Sequence, residues 1–517
     1  MYMDGSTSPL SSLSELSEDD DDMSSLSSLS EMSEDGDGEA HEVVTDGRLV
    51  SQAAAAIKGE EKSHLRKVTA VPHPKTVLLK PSAYQRTSGK SKSGKRKSDR
   101  HTLGKRKQQQ RLLQHIYHDL QYWADEAPVY KLQGVNLQKL QSRTKNAPKD
   151  KEKARAIIRE MESWESDGAS GVFQDEVGNT LVAYFGRRVK AEVNTDRMSL
   201  DPVAYNPGPK APSALGRSPA CLDKAERDGK KVYSDGLKRE TLDKVHVATQ
   251  LLVHHIGMEH AKRDGRHDKG DFLMRYPKDC GPPGGPMTES EDRQSFVLEG
   301  VEYVYHDYTF TSETTGVLHL VHGWPDQAHD ATKYGIHPSK NMVSGPHGAP
   351  QVHAYFNATE TLALRLAVMF RKAFPEFYKK YRKAFDAGKW TVVDPGPFLG
   401  RVIVWKLSVS PHQDGLDEGP AVIFPMGRFE GGECYLPDLK LKLSYRPGEV
   451  IILMAGALYH SIGEWTPAPG VSKDGLTPGR IGNVWFFPHS SYEVLKDKPA
   501  NWALQSAGGT ITIQSHT

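Results

Sequence analysis

The sequence predicts an α+β protein whose core is an antiparallel, jelly-roll-like barrel with flanking helices and a disordered N-terminal region. Short apolar segments separated by Gly- and Pro-rich turns follow one another through residues 400–489, as in small barrels and sandwiches. Helix-type periodicity occurs in front of these segments. The first hundred residues are highly charged and poor in aromatic residues, so they are not expected to form a core.

Composition favours at least one folded domain together with long solvated segments. The chain has 517 residues, of which 26% are charged and 37% hydrophobic, and this length exceeds what one compact core usually fills. Its three cysteines, Cys221, Cys280 and Cys434, are far apart and form no C-x-x-C pair, which argues against a disulfide-stapled secreted protein. We find no apolar run long enough to span a bilayer, so we expect a soluble intracellular protein with no membrane partner.

Opposite charges are stored in separate blocks of the N-terminal region. Two near copies, "SSLSELSEDDDD" from Ser11 and "SSLSEMSEDGDG" from Ser27, predict disorder and offer serines for phosphorylation, although a solubilising tail is the simpler interpretation. The clusters Lys95–Lys97 and Lys105–Lys107 follow. Such clusters serve as nuclear-import signals or as arms that neutralise DNA phosphates, and they also occur in cytosolic linkers. We expect a nuclear protein.

Helices and a hairpin are predicted between the basic clusters and the barrel segments. Leu112, Ile116, Leu120 and Trp123 follow helical spacing from Gln108 to a stop before Pro128, and "DKEKARAIIREMESWES" predicts a second helix. A hairpin is expected from Gly171, with its turn at Gly178-Asn179 and its second strand over Leu181 to Phe185. A long helix is predicted from an N-cap at Thr359 to Gly388, with a kink at Pro375.

A histidine and an aspartate stand one residue apart in "SVSPHQDGLDEGP". His412 is the only one of 22 histidines with an acidic residue two positions later. Residues i and i+2 of a strand point to the same face, so His412 and Asp414 can project together into a barrel mouth. His460, at the end of the apolar segment "EVIILMAGALYH", could add a third ligand. Two histidines and one carboxylate form the facial triad of non-haem iron; a histidine capped by an aspartate in a turn is the alternative.

Arg480 begins the next apolar segment, "RIGNVWFF", and could point into the same barrel. A guanidinium offers two parallel donors to a carboxylate, which suits the distal carboxylate of 2-oxoglutarate. An arginine that merely starts a strand at the surface is the alternative.

The segments "HQD", "FEGGECYLPDLKLKLSYRPGEVIILMAGALYHSIGEW" and "GRIGNVWFF" together resemble a known family. They are similar to the double-stranded β-helix (jelly-roll) core of Fe(II)/2-oxoglutarate-dependent dioxygenases, and most similar to the fungal branch of the TET/JBP group, whose members oxidise methyl groups on DNA bases. The resemblance covers about residues 400–489, with a looser likeness back to the Gly171 hairpin. It implies that His412, Asp414 and His460 bind Fe(II), that Arg480 binds 2-oxoglutarate, and that O2 is the third reactant.

Two features depart from the family pattern. Gly482 occupies the position where many members carry a serine or threonine that shares the 2-oxoglutarate carboxylate, so a helper must come from elsewhere. The cysteine-rich zinc region of animal TET proteins has no counterpart here.

We divide the chain into a disordered acidic-then-basic region (1–100), a helical segment (101–170), a dioxygenase domain (171–500) and a C-terminal tail (501–517).

The implied substrate is a methylated base in DNA, flipped into the site. 5-Methylcytosine is expected first and N6-methyladenine second, and the basic clusters favour a nucleic acid. A nuclear protein side-chain hydroxylase of the prolyl type is the alternative with the same iron chemistry, and a catalytically silent DNA- or chromatin-binding relative is a third hypothesis. His319, His322 and the pair His306–Asp307 are interpreted as structural or substrate-side groups, because three-residue spacing suits a metal on a helix but not on a strand.

Overall fold

The computed structural model describes most of the chain beyond the N-terminal region. The described residues are 92–189, 202–256, 274–277, 295–298, 301–306, 315–325, 335–343, 345–391, 393–468 and 478–511. The acidic repeats and residue Asp307 therefore lie outside the described residues, as does the end of the predicted tail.

Helices occupy the N-terminal part, the middle and the C-terminal end of the described chain. They are α1 Lys92–Glu126, α2 Leu137–Gln141, α3 Pro148–Met161, α4 Ala211–Ala214, α5 Pro219–Arg227, α6 Arg239–Ile256, α7 Lys340–Val343, α8 Gly345–Ala358, α9 Glu360–Ala373, α10 Pro375–Gly388, α11 His489–Leu495 and α12 Trp502–Ser506. Within the described ranges, none of these helices combines the length and the apolar character of a membrane span.

Strands make up the rest of the regular structure. They are β1 Val129–Leu132, β2 Gly171–Gln174, β3 Thr180–Phe185, β4 Arg187–Val189, β5 Val203–Tyr205, β6 Val232–Ser234, β7 Met274–Pro277, β8 Ser295–Leu298, β9 Val301–His306, β10 Gly316–Val321, β11 Trp324–Pro325, β12 Ile336–His337, β13 Gly400–Trp405, β14 Ala421–Gly431, β15 Cys434–Leu436, β16 Leu441–Leu443, β17 Val450–Leu453, β18 Ser461–Ile462, β19 Trp465–Pro467 and β20 Gly479–Phe486. Each apolar segment that the sequence assigns to the barrel contains one of β13 to β17 or β20.

A large mixed sheet dominates the architecture. Its order is β10-β13-β20-β14-β17-β3-β2-β1-β5, and β19 pairs with β14. β1 runs parallel to both β2 and β5, whereas the other pairs are antiparallel. The segment 101–170, predicted to be helical, thus also supplies strand β1 to this sheet.

Residues 434–462, which also supply β17 to the large sheet, form a small sheet of order β16-β15-β18. An isolated bridge between His412 and His460 extends it by the segment that follows β13. After β13 in the large sheet, the chain crosses to the small sheet at His412 and returns to the large sheet as β14. It then crosses to the small sheet again at β15. This repeated crossing places the residues after β13 and after β17 next to each other.

Helix α1 packs against strand β3 of the large sheet. Ile116, Leu120 and Trp123 are buried, as their spacing predicts, and the Trp123 ring stacks on Phe185 with 4.0 Å between ring centroids. The helix ends at Glu126, before Pro128, but it begins at Lys92 rather than near Gln108. Both basic clusters therefore lie on helical backbone.

The predicted long helix from Thr359 is two helices. Phe374 leaves the helical region, with φ −136° and ψ 68°, and α10 begins at Pro375. A proline disfavours helical backbone at the residue before it, which explains a break where a kink was expected. The Thr359 hydroxyl donates to the Tyr355 carbonyl (2.8 Å) and does not cap α9. The predicted helix end at Gly388 is confirmed, because α10 ends there.

The predicted hairpin is confirmed by β2 and β3. Gly178 has φ +97°, a left-handed conformation that favours glycine. The Asp175 carboxylate accepts hydrogen bonds from the backbone N–H groups of Val177 (3.1 Å) and Asn179 (2.7 Å), which fixes the turn. The second predicted helix is confirmed as α3.

Candidate metal centre and dicarboxylate pocket

His412 and His460 face each other across the small sheet. The N–H of His412 donates to the carbonyl of His460 (3.1 Å), and the N–H of His460 donates to the carbonyl of His412 (2.9 Å). The Asp414 N–H donates to the Ala455 carbonyl (3.1 Å), which ties the aspartate to the end of β17. Three residues separated by up to 48 positions are thus held by backbone bonds.

The side chains of these residues converge. Asp414 Oδ1 lies 3.5 Å from His412 Nε2, and Asp414 Oδ2 lies 3.5 Å from His460 Nε2. The two imidazole centroids are 4.3 Å apart, and one ligand atom from each residue lies within 4.8 Å of the others. The three predicted residues therefore bring two imidazole nitrogens and one carboxylate close together.

Backbone carbonyls set the orientation of both imidazoles. His412 Nδ1 lies 2.8 Å from the Ser410 carbonyl, and His460 Nδ1 lies 3.1 Å from the Leu458 carbonyl. A carbonyl oxygen can only accept, so each Nδ1 carries a proton, and Nε2, which faces Asp414, is the ring nitrogen placed to bind a metal. Metal-bound histidines are commonly held in this way through their second nitrogen.

The Asp414 carboxylate is ionised. Its burial alone would raise its pKa, but hydrogen bonds and charge interactions with His412 and His460 outweigh this and hold the pKa well below its usual value. A carboxylate with two Nε2 atoms is the donor set of non-haem Fe(II) enzymes and leaves positions open for other ligands. The residues present thus fit Fe(II).

Arg480, on β20, reaches from the large sheet toward the small one. A methyl group at Gly432, just before β15, would lie 3.4 Å from Arg480 Cδ, and the side chain is among the largest fully buried ones. Among the residues that the structure describes, none forms a hydrogen bond with its Nε. Burial lowers the pKa of the guanidinium. Within the described ranges, Tyr445 and Cys434 partly offset this decrease, and no carboxylate does. A buried cation without an anion calls for an anionic ligand.

Tyr445 is the neighbour of Arg480 that the sequence did not reveal. Its ring centre lies 5.4 Å from the Arg480 guanidinium carbon, and its hydroxyl interacts with that guanidinium. Burial raises the pKa of the phenol well above its usual value, so the hydroxyl remains a donor. A methyl group at Gly482 would lie 3.3 Å from Arg480 Nη1, so glycine leaves space there. Tyr445 can fill the role of the hydroxyl that is absent at Gly482.

The turn that presents Tyr445 is held by a buried carboxylate. Tyr445 has φ +48°, a conformation that is unfavourable for a bulky side chain. On either side of it, the Ser444 hydroxyl (2.8 Å) and the Arg446 N–H (2.7 Å) donate to Glu449 Oε2, which also accepts from the Tyr184 hydroxyl (2.6 Å). Glu449 is local, but Tyr184 and Arg480 come from distant strands, so no local sequence signal showed that this tyrosine lies beside Arg480.

Two other histidines singled out in the sequence, His319 and His322, do not join this group of ligand atoms. His322 is buried and bonded to Asp394 (3.0 Å), and it accepts from the Trp390 N–H (3.2 Å). Burial would raise the pKa of Asp394, but the Arg401 charge and the His322 bond lower it to about 2. His322 thus belongs to a buried structural network. The ring of His319 packs edge-on against Trp324, and the side chain of His306 lies outside the described positions.

A second group of ligand-type side chains surrounds the start of α11. Glu418, His489 and Glu493 bring their ligand atoms within 4.8 Å of one another. His489 is 61% exposed and its Nδ1 is already bonded to Glu418 (2.7 Å), while Glu493 pairs with Lys496. His412 and His460 are buried and Asp414 is half-buried, so this group is the better candidate for a metal.

No protein-family model matches the chain, and no curated protein matches it. Among solved structures it is similar to NgTET1 in complex with 5mC DNA, at 15% sequence identity and a TM-score of 0.25 over 35% of this chain and 63% of that chain. It is also similar to OsALKBH1, at 14% identity and a TM-score of 0.22 over 49% of this chain and 93% of that chain. This chain spans less than two thirds of the NgTET1 chain. Both similarities are remote, and we base the proposed function on the geometry of the site.

Proposed function

We propose that this protein is an Fe(II)- and 2-oxoglutarate-dependent dioxygenase. The observation that carries the proposal is the convergence of His412 Nε2, His460 Nε2 and the ionised Asp414 carboxylate on one point. The buried Arg480, with its unpaired Nε, supports it, because a dicarboxylate would neutralise that cation. Other metals accept similar donors, but the arginine favours a 2-oxo dicarboxylic acid as the partner of the metal.

The fold that we propose is the double-stranded β-helix. The large sheet contains the order β13-β20-β14-β17, and the small sheet, extended by the His412 segment, has the order His412 segment-β18-β15-β16. The chain passes back and forth between these two sheets, which supports the proposed fold. Two facing sheets with this connectivity enclose a barrel whose mouth can hold one ligand. The metal centre would lie at the small sheet, and Arg480 reaches toward that sheet from β20 of the large one.

The chain's own residues perform binding and orientation. His412, Asp414 and His460 would hold Fe(II) through one face, which leaves the other face for reactants. Arg480 and Tyr445 would hold the distal carboxylate of 2-oxoglutarate, one as a cation and the other as a neutral donor. When bound, iron and 2-oxoglutarate supply the oxidation, in which 2-oxoglutarate and O2 yield succinate and CO2 while a substrate C–H becomes C–OH.

Methylated DNA is the substrate class that we propose. The resemblance of residues 400–489 to the TET/JBP group supports 5-methylcytosine, with N6-methyladenine as a second base. The basic clusters on α1 support a polyanionic partner. A base inside a duplex is inaccessible, so the target would be flipped into the barrel mouth.

Purified protein is expected to convert 5-methylcytosine in DNA to 5-hydroxymethylcytosine and further oxidised forms. Mass spectrometry of nucleosides after incubation with Fe(II), 2-oxoglutarate and O2 measures this, and omission of either cofactor or the change His460→Ala should remove the product. Single-stranded DNA should react at least as well as duplex, since less energy is needed to expose its bases. If methylated DNA in every form stays unoxidised while nuclear proteins gain hydroxyl groups, the protein side-chain hydroxylase is the correct function.

Nuclear localisation is a further part of the proposal. It is supported by the clusters Lys95–Lys97 and Lys105–Lys107. Replacing the six residues by glutamine is expected to shift a fluorescently tagged protein from the nucleus to the cytoplasm and to lower the salt dependence of DNA binding. Because these residues lie outside the metal centre, succinate production on a short oligonucleotide should persist. An unchanged distribution together with an unchanged salt slope would contradict both roles.

A further inference from the structure

The loop between α2 and α3 lies directly behind the metal centre. Asn146, in this loop, forms three hydrogen bonds with Gln413: its N–H donates to Gln413 Oε1 (3.1 Å), its Nδ2 donates to the Gln413 carbonyl (3.0 Å), and its Oδ1 accepts from the Gln413 N–H (2.8 Å). Gln413 is the residue between the two proposed ligands His412 and Asp414. A distant loop is thus bonded to both the backbone N–H and the carbonyl of the residue between two proposed metal ligands.

Gln413 continues this contact toward the third ligand. Its Nε2 donates to the Ala457 carbonyl (2.8 Å), three residues before His460. The side chain is 2% exposed. Successive side chains of extended backbone alternate in direction, so Gln413 can face the loop while His412 and Asp414 face the metal. It links the two ligand-bearing segments from behind.

A second residue of the loop holds the His460 side. Arg143 makes a two-point ion pair with Asp438 (2.6 and 2.8 Å) and also donates to the Ala457 carbonyl (2.8 Å). Asp438 in turn accepts from the N–H of Tyr459, the residue before His460 (2.8 Å). Such paired, partly buried guanidinium–carboxylate bonds are rigid as well as strong. The loop 142–147 therefore contacts both segments that bring metal ligands.

The backbone of Asn146 is shaped for this contact. Its φ is +53°, in the left-handed region, where asparagine and glycine are the residues best tolerated. In this conformation the backbone N–H, Nδ2 and Oδ1 of Asn146 all form hydrogen bonds with Gln413. The unusual backbone and the three-point contact are independent observations, and both point to a specific role for this residue.

We propose that Asn146 is a positioning residue for the metal centre, acting through Gln413 to fix the spacing of His412 and Asp414 relative to His460. The proposal rests on the metal-binding function proposed above. Groups that orient metal ligands change metal affinity by about 10- to 100-fold when they are removed. Asn146 would thus influence a metal that it does not touch.

Asn146→Gly is the decisive variant, because glycine keeps the left-handed backbone and the N–H donor while removing the two side-chain bonds. Co(II) titration, followed by calorimetry and by visible absorption, should show at least about 10-fold weaker binding and an altered Co(II) spectrum. Asn501→Gly is the matched control: Asn501 also has a left-handed backbone (φ 64°) at the start of α12 but makes no side-chain cap bond. It should bind Co(II) as the unmodified protein does.

A conservative variant separates positioning from general destabilisation. Asn146→Asp retains the Oδ1 acceptor for the Gln413 N–H and loses the donor to its carbonyl, so it should recover part of the Co(II) affinity that Asn146→Gly loses. Unchanged affinity and spectrum in Asn146→Gly would overturn the positioning role. If the unmodified protein binds no Co(II), or binds it equally after His412→Ala, the metal centre itself is refuted, which is a distinct outcome.

Discussion

Replacing His412 or Asp414 by alanine is expected to abolish 2-oxoglutarate turnover. Either change leaves two of the three donors that meet within 4.8 Å, and two protein ligands do not complete a facial triad. The loss should be complete within the detection limit of a succinate assay. Metal content, measured on the same samples by Co(II) titration, should fall in parallel.

The fold should survive these changes, because the backbone bonds between His412 and His460 do not depend on the imidazole of His412. Circular dichroism and thermal melting check this. His489→Ala is the matched control, since it removes a histidine from the exposed group at α11 and should leave turnover intact. Full succinate production by either variant of the buried group would show that the metal lies elsewhere.

Arg480→Ala is expected to weaken 2-oxoglutarate binding while sparing the metal. Removing one partner of a buried, charge-assisted pair typically costs about 2–5 kcal/mol, and each 1.4 kcal/mol is tenfold in affinity. Arg480→Lys should recover only part of the loss, since an ammonium lacks the planar two-donor geometry. Calorimetric titration of 2-oxoglutarate into the Mn(II)-loaded protein measures the effect under conditions without turnover.

Tyr445→Phe provides a graded comparison in the same pocket. It keeps the ring beside Arg480 and removes one neutral donor, for which a loss of about 1 kcal/mol is expected. Mn(II) affinity should be the same in all three variants. If Arg480→Ala binds 2-oxoglutarate as tightly as the unmodified protein, another cation anchors the dicarboxylate.

Local patterns were enough to predict the parts of the molecule that depend on neighbours in sequence. The strands after residue 400, the Gly178 turn and the packing face of α1 were predicted correctly, because alternation, turn chemistry and helical periodicity are local properties. His412 and Asp414 were recognisable as a pair for the same reason. The sequence also indicated His460 and Arg480, since each follows or begins an apolar strand.

Contacts between distant segments could not be predicted. Tyr445 points toward Arg480 because Glu449 and Tyr184 fix an unfavourable turn, and nothing in "LSYRPGE" announces that conformation. Asn146 bonds to Gln413 across 267 positions. The parallel pairing of β1 with β2 and β5 likewise depends on tertiary packing rather than on the pattern of either strand.

The backbone bridge between His412 and His460 has a consequence for how the proposed metal would be acquired. Small zinc domains are unfolded until their ion arrives, so that loading and folding are one event. Here the two imidazoles are already brought within 4.3 Å by paired main-chain bonds and by carbonyls at each Nδ1. If the protein binds Fe(II) as proposed, these main-chain bonds would hold the two histidines together independently of the ion. Metal binding would then be an equilibrium separate from folding, and the active fraction would follow the free iron concentration.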